Sequence, residues 1–398
     1  MRQIDLRSAD VARSDTIGFI NRQLVLNYIR ERGLISRAEL ARQTALQRST
    51  ISRIVDGLMS EGLVEELQGE TSGGRPPSLF RLRAAGAVAI GVEIATTRTI
   101  VATGDLAGRV LAQEEFMTDP TADRTLKQII TCARSLTKKT VQPIEGVGIS
   151  VPGIVDNETG KALFVPFFKW CNWSIKQEVS AALDLPVTVD NDANAAALAE
   201  LWFGHSEIRG VRDFILVLVE EGLGTGIVFD GQVYHGRSGG AGECGHMKIG
   251  TKAPTECAAG SQECWEAFAS ERAALARYAL MAGHAHDKTQ LSFDGLMERA
   301  EAGHKPAQTA LVETAHYLGL GISNLIKCFS PKAVIVAGKI TLMWSLIAEP
   351  LQMAVEKNSL CSGLSSPPVI RSTLGQKTRL MGSFSLIHGH KFASLMPT

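Results

Sequence analysis

Two stretches of this chain follow one plan: strand, turn, strand, then an acidic-Gly turn. The first runs through residues 88–93, a turn at Ala95-Thr96-Thr97, residues 99–103 and Asp105-Leu106-Ala107-Gly108. The second runs through residues 214–219, Gly222-Leu223-Gly224-Thr225-Gly226-Ile227 and Phe229-Asp230-Gly231-Gln232, which places the matching Asp105 and Asp230 turns 125 residues apart. Such a duplication predicts two related α/β lobes facing each other over a ligand-binding cleft. At 398 residues the chain also exceeds one compact core. We therefore expect three units: residues 1–83, a first α/β lobe at 84–203 and a second at 204–398.

The first unit has its own pattern. Ile17, Ile20, Leu24, Val25, Tyr28 and Ile29 have helical spacing, and Gly33 ends the run. Ser36 then caps a short helix at 37–41, with Glu39 in the capping-box position. After a turn near 44–46, a helix at 47–58 buries Ile51, Ile54, Val55 and Leu58. Arg48, Ser49, Thr50, Ser52 and Arg53 are left at its exposed N-terminal end, where a recognition helix meets base edges and phosphates. Residues 62–64 lead to a strand, a Gly-rich tip at 68–74 and a second strand at 78–82. This order predicts a winged helix-turn-helix that reads DNA, against the plainer alternative of a small helical interaction domain. Arg75, on the wing beside two prolines, is placed either to reach the minor groove or a phosphate, or to pin the linker.

Charge supports the division. Residues 1–83 carry 13 Arg and 10 acidic residues, whereas residues 84–398 carry 28 basic and 31 acidic ones. Every basic residue before Lys127 is an arginine, whose planar fork suits guanine edges and phosphates. No apolar run is long enough to span a bilayer, and the first residues lack the apolar segment of a signal peptide, so we expect a cytoplasmic protein with no membrane partner. Seven scattered cysteines argue for reduced thiols, with Cys257 and Cys264 at the most ligand-like spacing.

The chemistry concentrates in residues 239–266, where four carboxylates, one histidine and three cysteines lie among glycines. Glu243 and Glu266 can accept hydrogen bonds from sugar hydroxyls, and His246 can donate and accept. Upstream, a strand at 185–189 delivers Asp190-Asn191-Asp192-Ala193-Asn194 to an Ala-rich helix at 195–203. Asp192 there serves either as a helix cap or as an acceptor and general base toward a hydroxyl that Asn191 orients. Trp170-Cys171-Asn172-Trp173 offers an aromatic pair and an amide that suit either a sugar or the core.

Asn191-Asp192-Ala193-Asn194-Ala195-Ala196-Ala197, Gly224-Thr225-Gly226, Ala241-Gly242-Glu243-Cys244-Gly245-His246 and Cys264-Trp265-Glu266-Ala267-Phe268-Ala269-Ser270, in this order, resemble the ROK family of repressors, open reading frames and kinases. The resemblance extends from about residue 16 to about residue 385, to the regulator branch of glucose, N-acetylglucosamine and xylose repressors. It implies an actin-like ATPase (ribonuclease H-like) α/β fold behind the winged helix-turn-helix, and a sugar held by Asn191, Asp192, Glu243, His246 and Glu266, joined on our reading by Asn172.

Departures from the family pattern bear on nucleotide and metal. The first phosphate loop, usually Asp-x-Gly-Gly-Thr-Lys, reads Glu93-Ile94-Ala95-Thr96-Thr97-Arg98 and loses the glycines that cradle phosphate. The late glycine triplet reads Ala337-Gly338-Lys339, so only Gly224, Thr225 and Gly226 remain of a vestigial nucleotide site. The zinc loop lacks its middle cysteine. His246, Cys257 and Cys264 then leave three zinc donors where four are usual, with Cys244 and Glu263 as candidate fourths, so no cofactor is certain.

The sequence thus predicts a sugar-responsive repressor of carbohydrate genes that binds operator DNA as a homodimer or tetramer and takes a monosaccharide effector between its lobes, without kinase activity. The rival is an ATP-dependent sugar kinase with an appended DNA-binding domain, in which Asp192 is the catalytic base. A third reading is a scaffold that binds a partner protein and needs no sugar.

Overall fold

The computed structural model describes residues 14–69, 77–204, 210–283, 291–358 and 366–392. Helix α1 (Ser14–Arg32), strand β1 (Ile35–Ser36), helices α2 (Arg37–Thr44) and α3 (Arg48–Ser60) and the hairpin β2 (Val64–Gln68) and β3 (Ser78–Leu82) form a winged helix-turn-helix. The Ser36 hydroxyl accepts a hydrogen bond from the Glu39 amide at 3.2 Å, so the predicted cap starts α2, which runs on to Thr44. On α3, Ile51, Val55 and Leu58 are buried against Val25, Ile29, Leu40 and Phe80, while Ile54 is half-buried. The wing tip, Arg75 included, lies outside the described residues.

The first lobe comprises β4 (Val88–Ile94), β5 (Arg98–Asp105), β6 (Val110–Met117), α4 (Ala122–Lys139), β7 (Ile144–Val151), the small sheet β8 (Ile154–Asp156), β9 (Lys161–Val165) and β10 (Trp170–Trp173), then α5 (Ile175–Leu183), β11 (Val187–Asn191) and α6 (Asp192–Phe203). The second comprises β12 (Phe214–Val219), β13 (Leu223–Phe229), β14 (Gln232–Val233), α7 (Trp265–Ala269), α8 (Glu271–Met281), α9 (Phe293–Glu301), α10 (Lys305–Phe329), β15 (Ala333–Ala337), α11 (Trp344–Lys357), β16 (Val369–Arg371) and α12 (Thr378–Phe392). Their sheets are ordered β6-β5-β4-β7-β11 and β14-β13-β12-β15-β16. In both, the first strand pairs antiparallel with the second and parallel with the fourth. The predicted duplication is therefore a duplication of strand order and sense. β4, β7, β12 and β15 read as continuous apolar runs because both faces of these central strands are covered.

Each lobe sends its last helix to the other. Helix α6 packs Ala193, Ala196 and Ala197 against Phe214, Leu216 and Leu218 of the second sheet. Helix α12 packs Leu380 and Phe384 against Ile100 and Ala102 of the first. The close approach of α12 needs bare backbone: a Cβ on Gly148 would overlap the Ser383 carbonyl, and Cβ atoms on Gly91 and Gly104 would strike the Phe384 ring. The expected boundary at 204 is accordingly crossed, since α12 belongs by packing with the lobe that precedes it.

The same two helices carry the winged unit. Trp202 at the end of α6 and Phe392 at the end of α12 lie against the Arg30 guanidinium, with its carbon 4.7 and 4.8 Å from their ring centroids. Asn27 of α1 donates to the Phe392 carbonyl at 2.8 Å and Gln23 to the His390 carbonyl at 3.4 Å, capping the last turn of α12. Leu106 and Ala87 of the first lobe complete this apolar contact.

We expect Gly148→Val to force α12 off the sheet and cost about 1–3 kcal/mol or more, read as a lowered urea midpoint. Gly18→Ala, on α1 with open space around its Cβ position, is expected to hold or raise that midpoint by up to ~1 kcal/mol.

Candidate functional site

A cleft of about 550 Å³ opens between the lobes, within the roughly 300–1,000 Å³ range of small-molecule sites. Residues from the turn after β4, the end of β11, the β12–β13 turn, the loop 242–246 and the starts of α7, α8 and α12 converge on it. Asn191, Asp192, Glu243, His246 and Glu266 all line it, as the sequence predicts, and so do Gly224 and Thr225.

Their roles differ in detail from the sequence expectation. Asn191, not Asp192, is the N-cap of α6: its Oδ1 accepts from the Ala193 and Asn194 amides at 2.8 and 3.2 Å, and its Nδ2 donates to the Gly153 carbonyl at 3.0 Å. Asp192 is the first residue of the helix. Burial pushes its carboxyl up to about 7, against the pull of Arg379 and the Ala193 amide, with Glu220 and Glu243 adding to the rise. Glu243 is also raised by burial, and His246 Nε2 lies 3.9 Å from its Oε2. Glu266, 5% exposed, accepts from the Ala258 amide at 2.6 Å and from Arg272 at 2.8 Å. The loop holding Glu243 rests on β13 because Gly242, at φ 87°, lets its carbonyl take the Thr225 hydroxyl at 2.5 Å.

Asn172 does not reach this group. It sits exposed at φ 52° in the small sheet and is not among the residues lining the cleft. Trp170 and Trp173 are buried against each other and Phe168, so that motif serves the core; the ring at the cleft is the half-exposed Phe167.

The other half of the cleft departs furthest from a phosphate site. At the start of the segment that replaces the family's glycine loop, Glu93 is buried and pairs at 2.9 Å with Arg379 of α12, which also reaches Glu220 at 3.7 Å. Lys339 pairs with Asp294 at 2.7 Å. Asp190, beside the cap, accepts from Asn194 at 3.1 Å and meets His235 of the second lobe at 2.7 Å. Burial alone would pull the His235 pKa down, but the Asp190 bond and charge outweigh it and raise it. Sequence reasoning missed Arg379 and Arg272, which line the cleft, and the Asp190–His235 pair, whose residues are not among its lining. The only available signal was the adjacency of Asp190 to Asn191.

His246, Cys257 and Cys264 do come together, with a ring nitrogen and both sulfurs within 4.8 Å of one another. His246 Nδ1 is buried without a hydrogen-bond partner among the described residues. An orphaned imidazole nitrogen beside two buried thiols fits a thiophilic cation such as zinc with three protein donors. Neither candidate fourth donor joins them: Glu263 pairs with Lys248 at 2.6 Å, and Cys244 packs against the second-lobe core.

On the winged unit, Arg48, Ser49 and Arg53 are exposed and Thr50 and Ser52 half-buried along the first turns of α3. The Arg37–Asp56 pair at 2.6 Å ties α2 to α3 behind them.

A family model described as ROK family matches residues 89–390, and one described as winged helix-turn-helix DNA-binding matches residues 20–65. The chain is 30% identical over 382 residues to the xylose repressor of Caldicellulosiruptor bescii, covering 92% of this chain and 95% of that one. Among solved structures, a ROK family transcriptional regulator homologous to the Escherichia coli MLC protein matches with a TM-score of 0.77 at 27% identity, over 96% of this chain and 98% of that one. A ROK family glucokinase from Streptomyces griseus, in complex with glucose and AMPPNP, matches with a TM-score of 0.68 at 30% identity, over 76% of this chain and all of that one. No described helix is long and apolar enough to cross a membrane.

The acid-rich cleft has a pH signature. Burial raises Glu271 from 4.5 to about 8, with Glu220 adding to the rise and Lys339 opposing it. The native state holds this proton more tightly than the unfolded chain. Its contribution is therefore fully present below about 4.5 and lost as pH rises through about 8. Chemical denaturation across that window is expected to show falling stability in the wild type and a flatter profile in Glu271→Gln.

Proposed function

The chain belongs to the ROK family, and from that premise we propose that it is a sugar-responsive, DNA-binding transcriptional repressor of carbohydrate genes. Arg48, Ser49, Thr50, Ser52 and Arg53 meet the operator, and a neutral sugar binds in the cleft against Asp192, Glu243, His246 and Glu266, with Asn191 fixing the start of α6. The observation that carries the reading is that α6 and α12 each have one end in the cleft and the other under the winged unit. Helix α12, with 15 residues, spans about 22 Å at about 1.5 Å per residue. A sugar that changes how the lobes close displaces both helix ends beneath α1. A ligand shifts DNA affinity only through such a difference in its binding to two lobe arrangements.

The repressor reading is favoured over a kinase by the turn after β4, where Ala95, Thr96 and Thr97 line the cleft in place of the family's phosphate-cradling glycines. Zinc, when bound by His246, Cys257 and Cys264, would supply only a fixed cross-link; the residues themselves hold the His246 ring beside Glu243. Operators read by paired winged helices favour a symmetric dimer or a tetramer built from it.

The functional assignments separate by mutation. Arg53→Ala is expected to weaken operator binding by about 1–3 kcal/mol in a fluorescence anisotropy titration, with the sugar response of the remaining binding retained. Glu243→Gln is expected to bind operator and to lose the response to whichever sugar the wild type answers to in a panel built on xylose, glucose and N-acetylglucosamine units. Robust ATP turnover that disappears in Asp192→Ala would instead establish the kinase.

A further inference from the structure

The cleft is larger and more acidic than one sugar ring uses. Seven carboxylates and four Arg or Lys side chains line it. Asp192, Glu243 and Glu266 account for one half. Glu220, Glu221, Glu271, Asp294, Lys339 and Arg379 form the other, stitched together where the Glu271 amide donates to the Glu220 carbonyl at 2.8 Å. Within this second group Glu271 is only 6% exposed, lines the cleft, and has an Oε1 with no hydrogen-bond partner among the described residues. A buried polar atom without a partner, on a side chain that lines a cavity, implies an absent partner.

Three ligand chemistries can be weighed against these groups. A polyphosphate needs unspent cations, but Arg379 is engaged by Glu93 and Glu220, Lys339 by Asp294, Arg272 by Glu266 and Arg98 by Glu115 at 3.6 Å. A bare cation needs converging ionised carboxylates, whereas Glu271 keeps its proton to about 8 and burial also raises Glu221. Near neutrality the site therefore offers carboxyl hydroxyls, carboxylate oxygens and an ammonium side by side, a mixture of donors and acceptors that matches the hydroxyls of a neutral saccharide. Phe167, 53% exposed and lining the cleft, adds an apolar face on which a ring can stack.

We propose that the half of the cleft bounded by Glu220, Glu221, Glu271, Asp294 and Lys339 is a second sugar subsite, so that the effector is a two-ring saccharide or glycoside and not a single monosaccharide. This rests on the sugar-sensing reading above and specifies its ligand class. The first ring lies on Asp192, Glu243 and His246, and the second takes the ground a nucleotide would need.

Calorimetry on the full chain tests it, using xylose, glucose and N-acetylglucosamine, the two-ring sugars built from each, ATP, and Mg²⁺ alone. At least one two-ring sugar is expected to bind about tenfold tighter than its own single ring. Lys339→Ala with Asp294→Ala, and separately Thr97→Trp to fill the space, are expected to bring that ratio to about one. Equal affinity for one and two rings in the wild type overturns the subsite while leaving sugar sensing intact. Binding of ATP or of Mg²⁺ alone that Glu271→Gln abolishes also overturns it. Silence toward every saccharide removes the sugar-sensing reading and the subsite together.

Discussion

The crossing of α6 and α12 is the constraint on which the remaining geometry depends. Neither helix covers its own lobe: each lies on the sheet of the other, and the two pack along one another between the lobes. That arrangement needs small residues at the crossing, and the chain supplies them as alanines on α6 and as glycines under and within α12. A Cβ on Gly382 would meet the Ala195 carbonyl, just as one on Gly148 would meet Ser383. Close-packed contacts of this kind have few intermediate settings, so a change at one end of the pair is passed on as a rigid shift.

Electrostatics follow from the crossing. By bringing the start of α12 back to the cleft, the fold sets the Arg379 guanidinium between Glu93 of the first lobe and Glu220 of the second. The surrounding carboxylates hold the Arg379 pKa above its ordinary range despite burial. Breaking such a buried pair leaves an uncompensated charge, so the ion pair ties the start of α12 to β4. Asp192, Glu243 and Glu271 are all raised by burial, which outweighs the pull of Arg379, His246 and Lys339 respectively. The cleft thus gathers raised carboxyls and paired carboxylates together, which is the basis of the sugar reading proposed above.

Much of this was legible in the sequence where local chemistry sets the outcome. The Ser36 cap, the buried stripe of α3 and the repeated turns at Asp105 and Asp230 depend on neighbours within a few residues, and each is where the pattern placed it. The cleft carboxylates were legible because they cluster in one loop and at one helix start. Arg379 was not, because its partners lie some 160 and 290 residues earlier in the chain and nothing local distinguishes it from a surface arginine on a final helix. Asn172 misled for the opposite reason: tryptophans flanking an asparagine suit a sugar, but both rings turn to the core and leave the amide at an exposed bend. Of the two roles open to Asp192, the helix cap falls to its neighbour Asn191, which also donates to the Gly153 carbonyl, a partner 38 residues earlier in the chain.

The account stands on transmission from the cleft to the winged unit through the ends of α6 and α12, and the contact of Phe392 with Trp202 and Arg30 is the narrowest point of that route. The most direct test measures operator affinity of the full chain with and without saturating effector, in the wild type and in Phe392→Ala, alongside effector affinity by calorimetry. The account predicts that the variant still binds effector and operator separately while the effector-dependent change in operator affinity, typically about 5–150-fold, falls toward one. An undiminished change in Phe392→Ala would contradict it.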